Sequence, residues 1–512
     1  MKKIHLAFLL ILPLFFGCGN NNTTEPGETE LIPEITIEGE TKFEFGVDGG
    51  TATFTITSNV DWTAEAGTSW ITISPESGTA SADPVKVSFT CEKTNKKTQR
   101  SSDITISGPG LVKYIDIIQV GDPMAGAAEE LKSGSTVLAT NPLVEKFLTE
   151  VTYKDWPEED SNTRATKIFD YYGGFDGVNL TWDNWGKEWP DGDIPCQYSI
   201  RWKQEDIESG VMNLHLEDKL GWKGDQEIEA GALFVNIKNL VPNDQYSYRV
   251  TASSGKVLAE GNFNTTGHLH QVYFEGDHQK PNIKGGGGRN ARDFGGWKTL
   301  DGKTVKYRKV YRGGRLNEKW TPYPLNAKGE KEVLFEGIGA ELDLRGNSDV
   351  MFEPAVAGLD HCAPVIEQGG KTMLVNDAAK TKECFEFVLK SVRNNKPVYF
   401  HCSLGRDRTG TLFILLMGVL GVREGDIAKE YELTYFAPVG YSVSSSDKKT
   451  NTIPTFHNTR LAWVYSDVTP YFWELAKETP GKTFAEGVEK YLTTVAGVPQ
   501  ADIDEFRSLM LE

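Results

Sequence analysis

The sequence predicts a multidomain chain in which two β-sandwich domains precede an α/β domain. Three observations carry that expectation. The chain has 512 residues, too many for one ordinary core and enough for three or four domains at about 150 residues each. Residues 35–121 and 178–267 alternate apolar and polar side chains between Gly-, Ser- and Asn-containing turns, the pattern of strands buried on one face. From about Val272 onward, helical spacings alternate with short apolar strands, as in a mixed α/β unit.

Composition narrows the partners. A hydrophobic fraction of 39% is enough to build cores and excludes wholesale disorder. Lys and Arg number 54 against 72 Asp and Glu, a net charge of −18, so nucleic acid would be repelled over most of the surface. An anionic substrate must then be met by a local basic pocket set against the global field. Six cysteines in a chain of this length do not make a disulfide framework.

The chain opens with Lys2-Lys3 and an apolar run from Ile4 to Phe16, short for a membrane span and suited to a secretory signal. Leu14-Phe15-Phe16-Gly17-Cys18 resembles a bacterial lipobox. The resemblance implies a signal peptide over residues 1–18, acylation of Cys18, and a lipoprotein anchored in the bacterial cell envelope, at the outer membrane or the cell surface. Residues 19–34 are polar and low in complexity, a flexible tether.

Within 35–121, Ser58-Asn59-Val60-Asp61-Trp62, Trp70-Ile71-Thr72-Ile73-Ser74-Pro75, Gly78 and Gln119 resemble the BACON family of small sandwiches. That family is often attached to carbohydrate-active proteins, which implies a glycan contact in which Trp62 and Trp70 stack on a sugar ring. The other reading places both indoles in the core, the commoner fate of Trp in alternating strands. Residues 122–177 read as a connector, with helical spacing from Ala125 to Glu150 and a charged loop from Lys154 to Arg164. In 178–267, Leu240-Val241-Pro242-Asn243-Asp244-Gln245-Tyr246 resembles the tyrosine corner of a fibronectin type III domain, in which a Tyr hydroxyl ties a loop to its strand. Cys91 and Cys196 fall in different β units and read as buried small side chains.

The chemistry is concentrated in residues 272–512. The apolar strand Pro397-Val398-Tyr399-Phe400 leads into His401-Cys402-Ser403-Leu404-Gly405-Arg406-Asp407-Arg408-Thr409-Gly410, and the apolar Thr411-Leu412-Phe413-Ile414-Leu415-Leu416-Met417 follows. A strand, a tight loop and a helix N-terminus form an oxyanion cradle, with loop N–H groups pointing inward and the helix dipole adding positive potential. Such a site lowers the pKa of a cysteine at its mouth and holds phosphate oxygens on the backbone of Ser403 through Arg408. Arg408 completes the ring with a bidentate contact, Thr409 donates its hydroxyl to the Cys402 sulfur, and His401 and Arg406 orient the substrate.

Cys-x5-Arg-Thr after a His resembles the signature loop of cysteine-dependent protein tyrosine phosphatases. Asn290-Ala291-Arg292-Asp293-Phe294-Gly295-Gly296, Asp301-Gly302, Val310-Tyr311-Arg312-Gly313-Gly314, Glu341-Leu342-Asp343-Leu344-Arg345 and the Thr483–Leu492 run resemble the atypical bacterial branch, with Gly313 where Ser is usual. The resemblance makes residues 272–512 an α/β cysteine-phosphatase domain acting on phosphomonoesters. Phosphotyrosine or a broader set is the leading substrate class, and inositol phosphates or phosphoinositides are the alternative. The implied reaction runs through a phosphocysteine at Cys402, with a carboxylic acid protonating the leaving oxygen and no metal or cofactor. Asp407, inside the loop, is preferred as that acid, and Asp343 is second. Arg406 is placed to meet a second phosphate. A different class, a phosphate- or glycan-binding surface lipoprotein, would keep the fold without the chemistry.

Three further features have bland readings. Trp189-Pro190-Asp191 has the letters of the acid-bearing loop of eukaryotic tyrosine phosphatases but lies far ahead of Cys402, so it reads as a structural loop. His268-x-His270 reads as a solvated strand edge rather than a zinc site. Cys362 and Cys384 are buried, paired with one another, or able to resolve Cys402 as a disulfide.

Overall fold

The computed structural model describes residues 32–160, 163–164, 167, 192–206, 209–276, 287–317, 325–437 and 459–512, excluding the side chains of 459–466. Cys18 and Trp189-Pro190-Asp191 lie outside the described residues. The chain divides into two compact units, one ending at Ala125 and the other running from Gly126 to Glu512.

The first unit is a sandwich of two sheets. One has the order β1 (Ile35–Glu38), β3 (Gly50–Ser58), β7 (Ser81–Cys91), β5 (Ile71–Ser74). The other runs β2 (Lys42–Phe45), β9 (Leu111–Gln119), β8 (Arg100–Gly108), β4 (Trp62–Ala66), β6 (Ser77–Gly78). Period-two patterning sends Phe54, Ile56, Val87, Phe89, Ile104, Ile106, Ile115 and Ile117 into one core. Trp62 joins them at 2% exposure, so it is unavailable for stacking on a sugar. Trp70 is partly buried, with the Arg100 guanidinium 4.1 Å over its ring.

The second unit opens with another sandwich. Its sheets are β10 (Glu129–Glu130), β12 (Tyr198–Arg201), β15 (Phe234–Ile237) and β11 (Thr136–Leu138), β17 (Val257–Thr266), β16 (Gln245–Thr251), β13 (Met212–Asp218), β14 (Lys223–Ile228). The Tyr246 hydroxyl accepts the Val241 N–H at 2.9 Å, the tie expected of a tyrosine corner. The helical spacing read over Ala125–Glu150 is only partly realised. Residues 129–138 instead give β10 and β11, which pair in parallel with β12 and β17. The helix α1 (Pro142–Glu150) begins where Asn141 accepts the Leu143 N–H and Pro142 occupies the first turn.

The α/β part is a six-stranded sheet with two antiparallel strands at one edge and four parallel strands beyond them. Its order is β18 (Gln271–Phe274), β19 (Gly288–Asp293), β20 (Val310–Gly313), β23 (Val398–His401), β21 (Ala340–Asp343), β22 (Asp360–Cys362). Helices α2 (Ala327–Glu336), α3 (Gly370–Asn376), α4 (Ala378–Arg393), α5 (Asp407–Leu420), α6 (Glu424–Glu432), α7 (Thr459–Ala476), α8 (Phe484–Tyr491) and α9 (Gln500–Met510) accompany it. α5 is buried from Thr409 to Leu420, as a helix apolar on all sides must be. One core joins the sheet to α5 and also takes in Val144, Phe147 and Leu148 of α1.

The second sandwich is fastened to this sheet by buried charge. Arg308 donates to Asp218 at 3.2 Å and to the Tyr246 hydroxyl at 3.3 Å, pairs with Glu336, and lies 4.1 Å over the Trp222 ring. His270, expected on a solvated edge, is fully buried between Asp293 at 2.8 Å and the Asn239 carbonyl at 2.9 Å. The correction has a clear cause, because β18 is covered where the two parts meet. His268 stays exposed and pairs with Glu145.

Candidate active site

The parallel strands β20, β23 and β21 end in register, Gly313 beside His401 and Asp343 on its other side. In open α/β sheets the crevice beyond the carboxyl ends of the strands is where ligands bind. The Cys402–Arg406 loop leaves β23 there and enters α5 at Asp407. Among the described residues, the amides of Ser403 through Arg408 are bonded to no carbonyl or side-chain oxygen. Six unspent donors, in the loop and the first turn of a buried helix, are the raw material of an anion site.

Supports grip the outer side of the loop through its carbonyls. Asn290 donates to the Leu404 and Gly405 carbonyls at 3.2 Å each. Arg312 donates to Gly405 at 2.5 Å and Arg315 to Ser403 at 2.9 Å. Arg292 and Arg312 share Glu430, at 2.6 and 3.0 Å. Bonding the carbonyls outward leaves the amides free to face inward. Gly405 sits at φ +70°, and a Cβ there would collide with the Gly313 backbone, so glycine is required on both counts. A Cβ at Gly313 would in turn strike the Tyr399 hydroxyl, which donates to the Gly314 carbonyl at 2.7 Å. The space of the usual Ser is therefore filled by tyrosine.

Cys402 lies at the base, 2% exposed. Burial alone would push its thiol pKa up. The Arg408 charge, the Thr409 hydroxyl and the Thr409 N–H outweigh burial, and the thiol is lowered to about 7. Among the described residues the Thr409 hydroxyl has no nitrogen or oxygen partner, which leaves it for the sulfur. Arg408 donates to the Ile366 carbonyl at 3.0 Å and to the Ser403 hydroxyl at 3.3 Å. His401 is buried, its Nε2 2.9 Å from Glu341, so it holds the strand end and does not touch substrate. That placement corrects the expectation that His401 orients the substrate directly.

The two expected acids differ. Asp407 is part-exposed, 3.2 Å from Arg406 Nε. Asp343 is fully buried and accepts from Arg345 at 2.7 to 3.0 Å and from the Met351 amide at 3.0 Å. Burial would raise its pKa. The charges of His401 and Arg345 and these hydrogen bonds prevail, holding Asp343 below the usual carboxylate range. Buried, and with both oxygens taken up by Arg345 and the Met351 amide, Asp343 is placed as a structural group and Asp407 is the better placed of the two acids.

Arg406 is also corrected. Its side chain is buried and turned onto Asp407, so it is not presented to a second phosphate at the mouth. Cys384 is fully buried and its thiol pKa stands well above 9.0, chiefly through burial. Burial and Glu383 push Cys362 up to about 12. Neither is poised as a thiolate to resolve Cys402.

Sequence reasoning missed three supports. Asp193 pairs with Arg289 at 2.6 Å and accepts the Asn290 N–H at 2.9 Å. Glu430 holds two arginines. Asp349 bonds the Ser403 hydroxyl. Their signal was faint, since none of the three falls in a recurring sequence pattern.

Residues 283–512 match the sequence model of the tyrosine phosphatase family, and residues 35–121 match that of the viral BACON domain. A Cupriavidus necator protein provisionally named a tyrosine-protein phosphatase is 27% identical over 166 residues, 28% of this chain and 59% of that one. The chain thus spans less than two thirds of the length of this relative. Among solved structures, a Bacteroides ovatus GH5 xyloglucanase is similar at 19% identity over 21% of this chain and 27% of its own, TM-score 0.16. The FN1-FN3 domains of chicken CNTN1 are similar at 12% identity over 45% of this chain and 63% of theirs, TM-score 0.11. Overlaps this slight leave the sandwich assignments resting on strand pairing itself.

Proposed function

With a tyrosine phosphatase family domain over residues 283–512, we propose that the protein is a cysteine-dependent phosphatase that hydrolyses phosphomonoesters through a phosphocysteine. The observation that carries the reading is a buried thiol lowered to about 7 at the base of a loop whose amides are unspent. The Cys402 thiolate attacks phosphorus, forming the S–P bond as the P–O bond breaks, and Asp407 gives its proton to the leaving oxygen. Water then attacks the phosphocysteine while Asp407 takes a proton back. The S–P bond breaks, and Thr409 stabilises the departing thiolate. Arg408 and the loop amides neutralise charge in both steps.

Substrates are phosphotyrosine or a broader set of monoesters. The inositol-phosphate alternative leaned on Arg406 as a cation beside the cradle, and the pairing of Arg406 with Asp407 favours the simpler monoesters. The N-terminal Lys2-Lys3, apolar run and Cys18 favour a lipid-anchored envelope enzyme. No described helix is long and apolar enough to cross a membrane. Cys18→Ala should move the protein from the membrane fraction to the soluble one.

The direct test is phosphate release from a nitrophenyl ester by the full chain. It should vanish in Cys402→Ser, and a wild type inert from pH 5 to 8 would sink the proposal. Asp407→Asn should slow hydrolysis of an alkyl phosphate by about 10²–10⁴-fold while largely sparing the nitrophenyl ester, whose leaving group needs little protonation. Equal losses on both would assign Asp407 to positioning.

A further inference from the structure

With Asp343 enclosed, a third carboxylate stands at the rim of the cradle. After β21 the chain turns at Gly346, whose carbonyl accepts the Asp349 and Val350 amides at 3.1 and 2.9 Å. Asp343 accepts the Met351 amide at 3.0 Å and pins the far side of that turn. Asp349 is thereby presented at the carboxyl edge of the sheet, with a side chain 27% exposed. One of its oxygens bonds the Ser403 hydroxyl and lies 3.7 Å from Arg408 Nη2. The same Nη2 donates to the Ser403 hydroxyl at 3.3 Å, and Nη1 is held by the Ile366 carbonyl at 3.0 Å.

We propose that Asp349 is a positioning residue that holds the Arg408 guanidinium over the cradle, resting on the reading of that cradle as a phosphate site. A free arginine samples many rotamers, and bidentate recognition requires one. A carboxylate and a hydroxyl on one edge and a carbonyl on the other fix the fork before the oxyanion arrives, so less ordering remains to be done on binding. Arg408 and the Ser403 hydroxyl offset the negative charge of Asp349, which lets an acid stand beside an anion site. Asp343 serves the same end at one remove, by fixing the turn.

The test uses the full chain carrying Asp349→Asn, Asp349→Ala or Asp349→Glu, with thermal unfolding to show that each variant remains folded. Binding of inorganic phosphate and of tungstate is measured by calorimetry, and kcat/KM on nitrophenyl and alkyl phosphates. Asn and Ala should weaken both oxyanions by about tenfold and lower kcat/KM on both esters alike. Glu should recover most of the loss. Oxyanion affinities within twofold of wild type in the Asn and Ala variants would overturn the proposal. So would a loss confined to the alkyl ester, which would make Asp349 the proton donor. If the wild type itself binds neither oxyanion, the cradle reading fails first and the proposal falls with it.

Discussion

At the scale of single residues, the thiol of Cys402 sets the pH behaviour. Its pKa is lowered to about 7, and in the proposed reaction only the thiolate attacks, so kcat/KM on a nitrophenyl ester, which needs little help from an acid, should fall as pH drops through about 7 and level off above it. Thr409→Val removes one of the lowering influences and should move that midpoint upward. The pH dependence of alkylation by iodoacetamide checks both, and an unmoved midpoint would remove the hydroxyl from the account. Cys402, Arg408 and Thr409 were legible because their spacing is a local property of one loop. The burial of Arg406 and Asp343 was not, because a charged side chain at a helix start or a strand end reads the same in sequence whether it meets solvent or a hidden partner. Gly313 shows the same limit: only the fold reveals that the Tyr399 hydroxyl fills the space beside it.

Among elements, α6 has the clearest ties outside its own stretch of chain. Glu424, in its first turn, accepts two hydrogen bonds from Arg164 at 2.6 and 2.7 Å and one from the Trp156 amide at 2.8 Å. Both side chains of the ion pair are buried. Breaking such a pair by removing one partner strands the other, at a cost of about 3–5 kcal/mol. Glu424→Ala should lose stability on that order in urea unfolding of the full chain, and a loss near zero would show that Arg164 finds water or another acid. The amphipathic face of α1 was readable as a face, and its destination was not. Period and spacing announce that Val144, Phe147 and Leu148 need cover. They do not say that Phe436, more than 280 residues later in the chain and 5.6 Å from the Phe147 ring, supplies it.

For the whole molecule, the sequence pattern separated sandwich from α/β correctly but suggested separable pieces. The structure joins residues 126–512 in one unit, with α1 in the core of the sheet and long-range ion pairs such as Arg308 with Asp218 and Arg289 with Asp193 beside it. A fragment of residues 126–512 should therefore fold and keep the activity of the full chain on a nitrophenyl ester. A fragment limited to 283–512 should be insoluble or unfold at much lower temperature, since it lacks α1, Arg164, Asp193 and Asp218. Circular dichroism of the two fragments decides the matter, and a stable, active shorter fragment would show the upstream contacts to be dispensable. The buried Arg308 also bears on how such genes can be rearranged. A recombination point at Ala125 hands on two intact cores, whereas one near Gly267 would set Arg308 against a foreign sandwich with no acid in the place of Asp218. Descendants that exchange their N-terminal domain freely should thus inherit the second sandwich and the six-stranded sheet together.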